Sequence, residues 1–492
     1  MENFKNLRDF IDFLESKGEL VRVRESVDRD LEITEITDRV VKAGGPALLF
    51  ENVKGCERPL LINLFGTDRR MAWALGSDTL DDAADRIAEA AEMAPPGDWR
   101  EKLRMLPKLA ALGRILPKKV SRGACQDVVL TGDDADLNIL PAQLCWPGDG
   151  GRYITQTQIF SKDPETGARN VGMYRVQIFD GKTCGMHWQM HKVGAQHHRE
   201  AEARGERVEV AIALGGHPAM IYAATAPLPE GVDEVLLGGF LAGNPIEMVQ
   251  GVTVDLEVPA EAEYVIEGYV EPGERRLEGP FGDHTGYYSL ADDYPVMHVT
   301  AITHRRDPIY PSIVVGPPIQ EDGPMGKATE RLFLPLLKLQ FPELVDMHLP
   351  VEGVFHNVAI ISIRKRYPGH ARKMMSSLWG TGQMAFTKIV IVVDEDVDVQ
   401  NNAEVFWRVT ANIDPKRDAV FADGITDVLD HASDRMGLSG KMGIDATRKW
   451  PEEGFTREWP EVLEMSPEVK ARVDAIWSKL GIALEKQQVE KK

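Results

Sequence analysis

The chain has 492 residues, 43% of them hydrophobic and 27% charged, with a net charge of −20. That is the make-up of an ordinary globular protein too long for a single core, with about three domains of usual size expected. The acidic balance argues against a nucleic-acid partner, which calls for basic patches. The four cysteines (Cys56, Cys125, Cys145 and Cys184) stand far apart without C-x-x-C spacing, which fits a reducing compartment and neither a disulfide framework nor a zinc ribbon. MENFKNLRDF is charged from its second residue, unlike a signal peptide, and apolar runs such as 389–393 are too short to span a bilayer. A cytoplasmic location is expected.

In chain order, Leu7, Phe10, Ile11 and Leu14 recur at helical spacing before Gly18. Val21 and Val23 alternate as a short strand. A second amphipathic helix runs through Ile33, Ile36, Val40 and Val41 to Gly44-Gly45, and 47–50 and 60–64 read as buried strands. Helices near 81–93 and 99–112, interrupted by Pro95-Pro96-Gly97, complete an N-terminal α/β domain expected over 1–120, whose role is packing and covering. From 121 to 315 short alternating runs dominate, at 154–160, 208–214, 220–224, 252–258, 264–270 and 296–302, with one helix at 232–241. Strands at this spacing predict a barrel or sandwich. From 316 to 492 the order returns to α/β, with helices at 327–339, 371–378 and 403–413, strands at 358–363, 388–393 and 419–422, and an amphipathic terminal helix at 467–480. The expected fold class is therefore mixed, α/β at both ends and β in the middle.

The stretch from Arg169 to Lys192 reads as a β-hairpin, because two apolar-rich runs flank Asp180-Gly181, which suits a two-residue I′ turn. Residues whose numbers sum to 361 then lie opposite each other: Asn170 faces His191, Gly172 faces Gln189, and Tyr174 faces His187. Opposed residues have Cβ atoms roughly 5 Å apart. An amide oxygen beside an imidazole, with a second imidazole near, makes two-thirds of a metal site. Periodicity alone leaves equally open a hairpin whose polar face meets water.

A second feature is E-G-P-F-G-D-H-T-G-Y-Y at 278–288, a glycine-rich loop holding Glu278 and Asp283. Two carboxylates facing one pocket repel, so one pKa is expected to rise and that group to serve as a general acid. A polar turn with capping carboxylates is the other reading of the loop. Familiar cofactor signatures are missing. No G-x-G-x-x-G follows a strand, Gly326-Lys327 lacks the rest of a Walker loop, and His187 and His191 lack the glutamate of a zinc-protease helix. His197, His198 and Arg199 read as solvated.

Taken together, N-V-G-M-Y-R at 170–175, E-G-P-F-G-D-H-T-G-Y-Y and K-I-V-I-V-V-D-E-D-V-D at 388–398 resemble the UbiD family of decarboxylases. The likeness runs from N-L-R-D-F-I at Asn6 through L-E-I-T-E-I-T-D-R and G-G-P-A-L-L-F-E-N to K-M-G-I-D-A-T and the terminal helix. It implies an N-terminal α/β domain, a central split β-barrel related to flavin reductases, and a C-terminal α/β domain with dimer contacts. It also implies prenylated FMN, a divalent metal (Mn²⁺ or Mg²⁺) at the cofactor phosphate, and K⁺. By resemblance, Asn170, His191 and Glu234 match metal ligands, an oxygen-rich set that suits Mn²⁺ or Mg²⁺ better than Zn²⁺. Met173, Tyr174, Arg175, His187, Trp188, Gln189, Lys192, Val193 and Lys388 match cofactor-lining positions. Arg175, Glu278 and Asp283 match the catalytic set.

Strict alternation points Arg175 away from Asn170, so either a bulge near Gly172 or a ligand that reaches both faces is expected. His187, Trp188, Gln189 and Lys192 depart from the ubiquinone-pathway pattern, which puts the substrate in question. Trp146, Ile319 and Met325 are candidates to shape its pocket. The expected activity is non-oxidative decarboxylation of a prenylated hydroxy-aromatic acid in quinone biosynthesis. A flavin prenyltransferase would supply the cofactor, and the chain would self-associate as a dimer or hexamer. It would lack a membrane span, with peripheral access to a lipid-tailed substrate left open. The alternatives are a carboxylase of a phenol or fused arene, a flavin reductase (for which no nucleotide fingerprint is present) and a non-catalytic subunit.

Overall fold

The computed structural model describes residues 4–91, 113, 115–228 and 231–482. The helix expected at 99–112 lies outside them. Contacts gather Met1–Thr447 into one compact unit and set Arg448–Lys492 apart as a second. In the second unit the helix Pro467–Ile476 buries none of its side chains. Among the described residues no helix is long and apolar enough to cross a membrane.

The first helix, Leu7–Ser16, forms as its pattern dictates: Leu7, Phe10, Ile11 and Leu14 are buried on one face, and the Asn6 side chain accepts the Arg8 N–H at 3.0 Å as N-cap. That face packs on a four-stranded sheet ordered Leu20–Val23, Ala47–Phe50, Leu60–Ile62 and Tyr310–Pro311, so the chain returns to its N-terminal sheet after residue 304. The C-terminal sheet has five strands, ordered Leu344–His348, Val358–Ile363, Ile389–Asp394, Leu438–Asp445 and Ala419–Ile425. Its three central strands run parallel, the pattern expected of α/β structure.

Between these sheets lies a nine-stranded one: β1 (Val128–Thr131), β2 (Tyr153–Ile154), β3 (Gln158–Lys162), β4 (Arg169–Gly172), β5 (Val176–Ile178), β6 (Thr183–Met186), β7 (Val208–Gly215), β8 (Ala262–Glu278) and β9 (Asp292–His304). The spatial order is β4-β3-β7-β8-β9-β6-β5-β2, with β1 also on β9, and no pairing closes this path into a ring among the described residues. The long β8–β9 pair carries the register from Tyr264 opposite His304 to Glu278 opposite Asp292, with a break between Val270 and Arg275.

Two local expectations are overturned. Residues 220–224 are not a strand; they belong to the helix Pro218–Ala223, started by Pro218 in its first turn and by His217 Nδ1 accepting the Ala219 N–H at 3.0 Å. A continuous apolar run fits either element, and here the cap decides. The 252–258 strand is likewise displaced to Glu247–Gln250 and Glu257–Pro259.

The hairpin is corrected more deeply. Only β5 and β6 pair, with Val176 opposite Met186 and Ile178 opposite Cys184, one residue out of the expected register. The Phe179 N–H bonds the Thr183 carbonyl at 3.1 Å, so three residues, not two, make the loop. Asp180 shapes it by accepting the Lys182 and Thr183 N–H groups at 2.9 and 2.8 Å, and Gly181 needs no left-handed φ. Upstream, β4 pairs with β3, placing Asn170 opposite Ser161 rather than His191. The chain leaves β4 at Met173, whose N–H bonds the Ala224 carbonyl at 2.9 Å, and crosses to β5 near the other end of the sheet. A complete break in the strand, not a bulge, reorients Arg175.

Candidate active site

That break delivers Arg175 to the end of β8. Its Nε and Nη2 donate to Glu278 Oε1 and Oε2 at 2.8 and 3.0 Å, a two-pronged pair, while Nη1 donates to Asp283 Oδ2 and Nη2 also reaches Ser289 Oγ at 3.0 Å. The guanidinium lies over the Phe281 ring, 4.9 Å from its centroid. Glu278 is fully buried, and Arg175 and Asp283 nearly so. His187 closes the far side of Glu278, with Nδ1 3.1 Å from Oε2.

The electrostatics reverse the expected repulsion. Burial opposes ionisation of Glu278, but hydrogen bonds from His187 and Arg175 outweigh it and hold the carboxyl at about 2. Asp283, equally opposed by burial, is held well below the usual range by the His284 hydrogen bond and the Arg175 charge. Neither pKa rises, because one cation bridges both acids. Burial and the Arg175 charge lower the pKa of His187, against the pull of Glu278.

The loop bearing Asp283 is pinned by side chains that the sequence pattern did not single out. Gln177 Oε1 accepts the Gly279 N–H at 2.8 Å, and its Nε2 donates to the Gly150 carbonyl at 2.9 Å. Asp149 accepts the Gly282, Trp146 and Cys145 N–H groups at 2.7, 2.8 and 3.1 Å, although burial pushes its carboxyl up to about 6. A Cβ on Gly282 would stand 2.2 Å from the Trp146 ring, so only glycine lets the loop lie that close. Trp146 in turn donates to the Val315 carbonyl at 2.9 Å. Met325 packs instead into the N-terminal core.

The remaining sequence-derived candidates fall into two places. Asn170, on β4, is buried and its Nδ2 has no partner; its side chain and Glu234 both act on the Tyr174 hydroxyl. Glu234 opens the helix Glu234–Ala242 and accepts the Val171 N–H at 3.1 Å, and burial pushes its carboxyl up to about 7. Tyr174 curls over Gly172, where a Cβ would meet its ring, and its hydroxyl lies 3.5 Å from where a Gly194 Cβ would stand. Met173 packs between two apolar clusters. Trp188 is buried with Nε1 unpartnered, and His187 Nε2 is unpartnered too.

Gln189 accepts the Lys192 N–H at 3.0 Å, and Lys192 and Val193 start the helix Val193–Arg204. His191 sits in an exposed turn against Phe386, ring centroids 5.4 Å apart. No hydrogen bond or ring contact joins it to Asn170 or Glu234 among the described residues. Lys388 pairs with Asp430 at 2.9 Å and lines an open groove with Phe421 and Lys441.

These residues fit the groups that the sequence implies. A half-buried carboxyl whose pKa is pushed up to about 7 is a place that a cation would satisfy, and the unpartnered Asn170 Nδ2 beside it is a donor for an anionic group. The unpartnered Trp188 indole N–H is a donor that a polar cofactor would fill, and with Nδ1 turned to Glu278 the neutral His187 ring leaves Nε2 as an acceptor.

Comparison with known proteins places the whole arrangement. Three family profiles match in order: the 3-octaprenyl-4-hydroxybenzoate carboxy-lyase N-terminal domain at 11–90, its Rift-related domain at 118–318 and its C-terminal domain at 324–446. An uncharacterized protein of Aquifex aeolicus is 53% identical over 97% of this chain and 99% of its own. The closed form of Sedimentibacter hydroxybenzoicus vanillic acid decarboxylase superposes with a TM-score of 0.85 at 29% identity, covering 98% of this chain and 100% of that one. The UbiD-class enzyme HmfF from Pelotomaculum thermopropionicum, solved with FMN, gives 0.78 at 32% identity over 95% and 98%. The three profiles, matching in order over most of the chain, and the likeness to the solved structures lead to one conclusion: this chain belongs to the UbiD family, a family of carboxy-lyases.

Proposed function

We propose that this protein catalyses the reversible, non-oxidative decarboxylation of a hydroxylated aromatic acid, a prenylated hydroxybenzoate or naphthoate of quinone biosynthesis. The observation that carries the reading is Arg175 bridging two buried carboxylates, one at a strand end and one on a pinned loop. The prenylated FMN, when bound, supplies the electron sink that decarboxylation at a ring carbon needs and that no side chain offers. An evolved form of HmfF, 30% identical, was solved with that cofactor. Met173, Tyr174, Arg175, His187, Trp188, Gln189, Lys192, Val193 and Lys388 would line it. Asn170, Glu234 and His191 would hold Mn²⁺ or Mg²⁺ at its phosphate, with K⁺ as a further ion. His191 lies on a turn, so it would reach the ion as a ligand from outside the sheet.

The side chains then divide the work. Arg175 binds the substrate carboxylate by charge-assisted hydrogen bonds and couples it to Glu278. An anionic substrate placed beside Asp283 raises that carboxyl's proton affinity, because like charges disfavour ionisation. Asp283 donates its proton to the carbon that has lost CO₂. Phe281 and Trp146 exclude water from the loop.

A three-part division near 120 and 315, in line with the bounds of the family profiles, and a split-barrel centre belong to the same proposal. Self-association as a dimer or hexamer through the C-terminal part and a flavin prenyltransferase as cofactor supplier complete the proposal. The test is production with that prenyltransferase and manganese, followed by a screen of aromatic acids for CO₂ release and for isotope exchange with bicarbonate. A hydroxyaryl acid should turn over. A flavin- and manganese-loaded protein that turns over none would overturn the proposal.

A further inference from the structure

The acid on the loop does not stand alone. Asp283 Oδ1 accepts two hydrogen bonds from the next residue, the His284 N–H at 2.7 Å and the ring Nδ1 at 2.8 Å, leaving Oδ2 to Arg175. Across the ring, His284 Nε2 stands 2.8 Å from Nε2 of His356, and that distance requires a proton between them. Ligand atoms of His284, His356 and Asp427 lie within 4.8 Å of one another. Phe355 stacks on His284, centroids 5.6 Å apart. Val354 and Phe355, both left-handed without being glycine, hold the turn that presents His356, a conformation kept only where its surroundings enforce it. His356 Nδ1 is buried with no partner.

We propose that His284 stores the proton that Asp283 delivers, so that the two side chains act as one acid with a shared proton between Nδ1 and Oδ1, and that His356 and Asp427 fix the ring from behind. This rests on the decarboxylase reading above. The overall reaction consumes one proton, ArCOO⁻ + H⁺ giving ArH + CO₂. The Nδ1 proton of His284 moves to Asp283 Oδ1, leaving a neutral imidazole whose remaining proton is on Nε2. As the C–C bond breaks, CO₂ leaves, the electron pair at the ring carbon takes that proton and Asp283 is again a carboxylate. One proton from water returns to the pair as product leaves.

The groups around the ring agree with this storage. Asp283 on its own loop, Asp322 at the start of the helix Asp322–Gln340 and Asp427 before the strand Leu438–Asp445 face His284, and His356 approaches from the loop before Val358–Ile363. Burial opposes the cation, but the Asp283 hydrogen bond and these charges push the His284 pKa up to about 9. Burial first, then His284, lowers His356 to about 4, against Asp427 and Asp283, with Lys192 adding to the lowering. Burial pushes Asp322 up to about 7. Asp283, a carboxylate while the site is empty, therefore has its proton waiting one hydrogen bond away. His284 touches no reacting carbon and acts through Asp283, so it is a positioning residue with a proton to give.

The test uses the flavin-loaded, metal-containing protein. His284→Asn keeps an N–H in the place of Nδ1 but carries no titratable proton. Turnover should fall at least tenfold with flavin content and KM unchanged, the alkaline limb of the kcat profile should move, and added imidazole should restore part of the rate. A milder variant, His356→Asn, should move the same limb by less. Ring-nitrogen NMR of ¹⁵N-histidine-labelled protein reads the charge without any turnover: an imidazolium signal should persist at pH 7.5 and vanish in His284→Asn. A neutral His284 at pH 7.5, an unmoved alkaline limb, or a stoichiometric metal ion lost with His356→Asn would each overturn the storage role. Because the NMR readout needs no substrate, it fails or succeeds independently of the decarboxylase reading.

Discussion

The Arg175 cluster and the Glu234 cluster are built on opposite principles. Around Arg175, every carboxylate oxygen of Glu278 and Asp283 has a donor, and both acids are held below their ordinary range. Around Glu234 a half-buried carboxyl accepts the Val171 N–H and has a raised pKa, and the Asn170 Nδ2 beside it has no partner. The first cluster brings its own cation; the second awaits one. In the proposed function that difference separates a preorganised proton-transfer site from a binding site finished by its ligand.

The sharpest way to break the comparison is to remove the internal cation. Arg175→Ala leaves two buried carboxylates without the cation that bridges them and should cost about 3–5 kcal/mol of stability, read by chemical denaturation, together with all measurable turnover. Next in size, Asp283→Asn should lower kcat by about 10²–10⁴-fold while flavin absorbance stays at the wild-type level. Glu234→Ala should do the reverse and abolish flavin and metal retention; a variant that purifies with full flavin would place the cation elsewhere.

The clusters should also answer pH in opposite senses. Glu278, at about 2 when folded against an ordinary 4.5, adds stability that is complete above about 4.5 and lost as pH falls toward 2. Glu234, at about 7 when folded against the same 4.5, makes the metal-free protein less stable as pH rises from about 4.5 to 7, because the folded state holds the extra proton in that window. Thermal unfolding across pH with and without manganese checks both, and the ion should erase the second loss. The smallest effect belongs to Ser289→Ala, about 0.5–1.5 kcal/mol for one hydrogen bond to Arg175.

The meeting of Arg175, Glu278 and Asp283 was legible in the sequence because all three sit in dense, glycine-punctuated motifs. The geometry between motifs was not. A two-residue turn and a three-residue turn at Asp180 differ by one position in register, and that single step moved every cross-strand neighbour. The side chain of Asp180, not the glycine after it, decides the turn. No local pattern announces that the chain leaves the sheet at Met173 and rejoins it elsewhere. Gln177 was within reach of sequence reasoning, since alternation puts it on the face of Arg175. His356 and Asp427 were not, because only tertiary packing brings them to His284.

The most direct test of the account is the flavin content of two variants purified side by side after production with a flavin prenyltransferase and manganese. Asp283→Asn should emerge with full flavin and Glu234→Ala with none. The opposite pattern, or equal loss in both, would contradict the division between a site that transfers protons and a site that holds the cofactor.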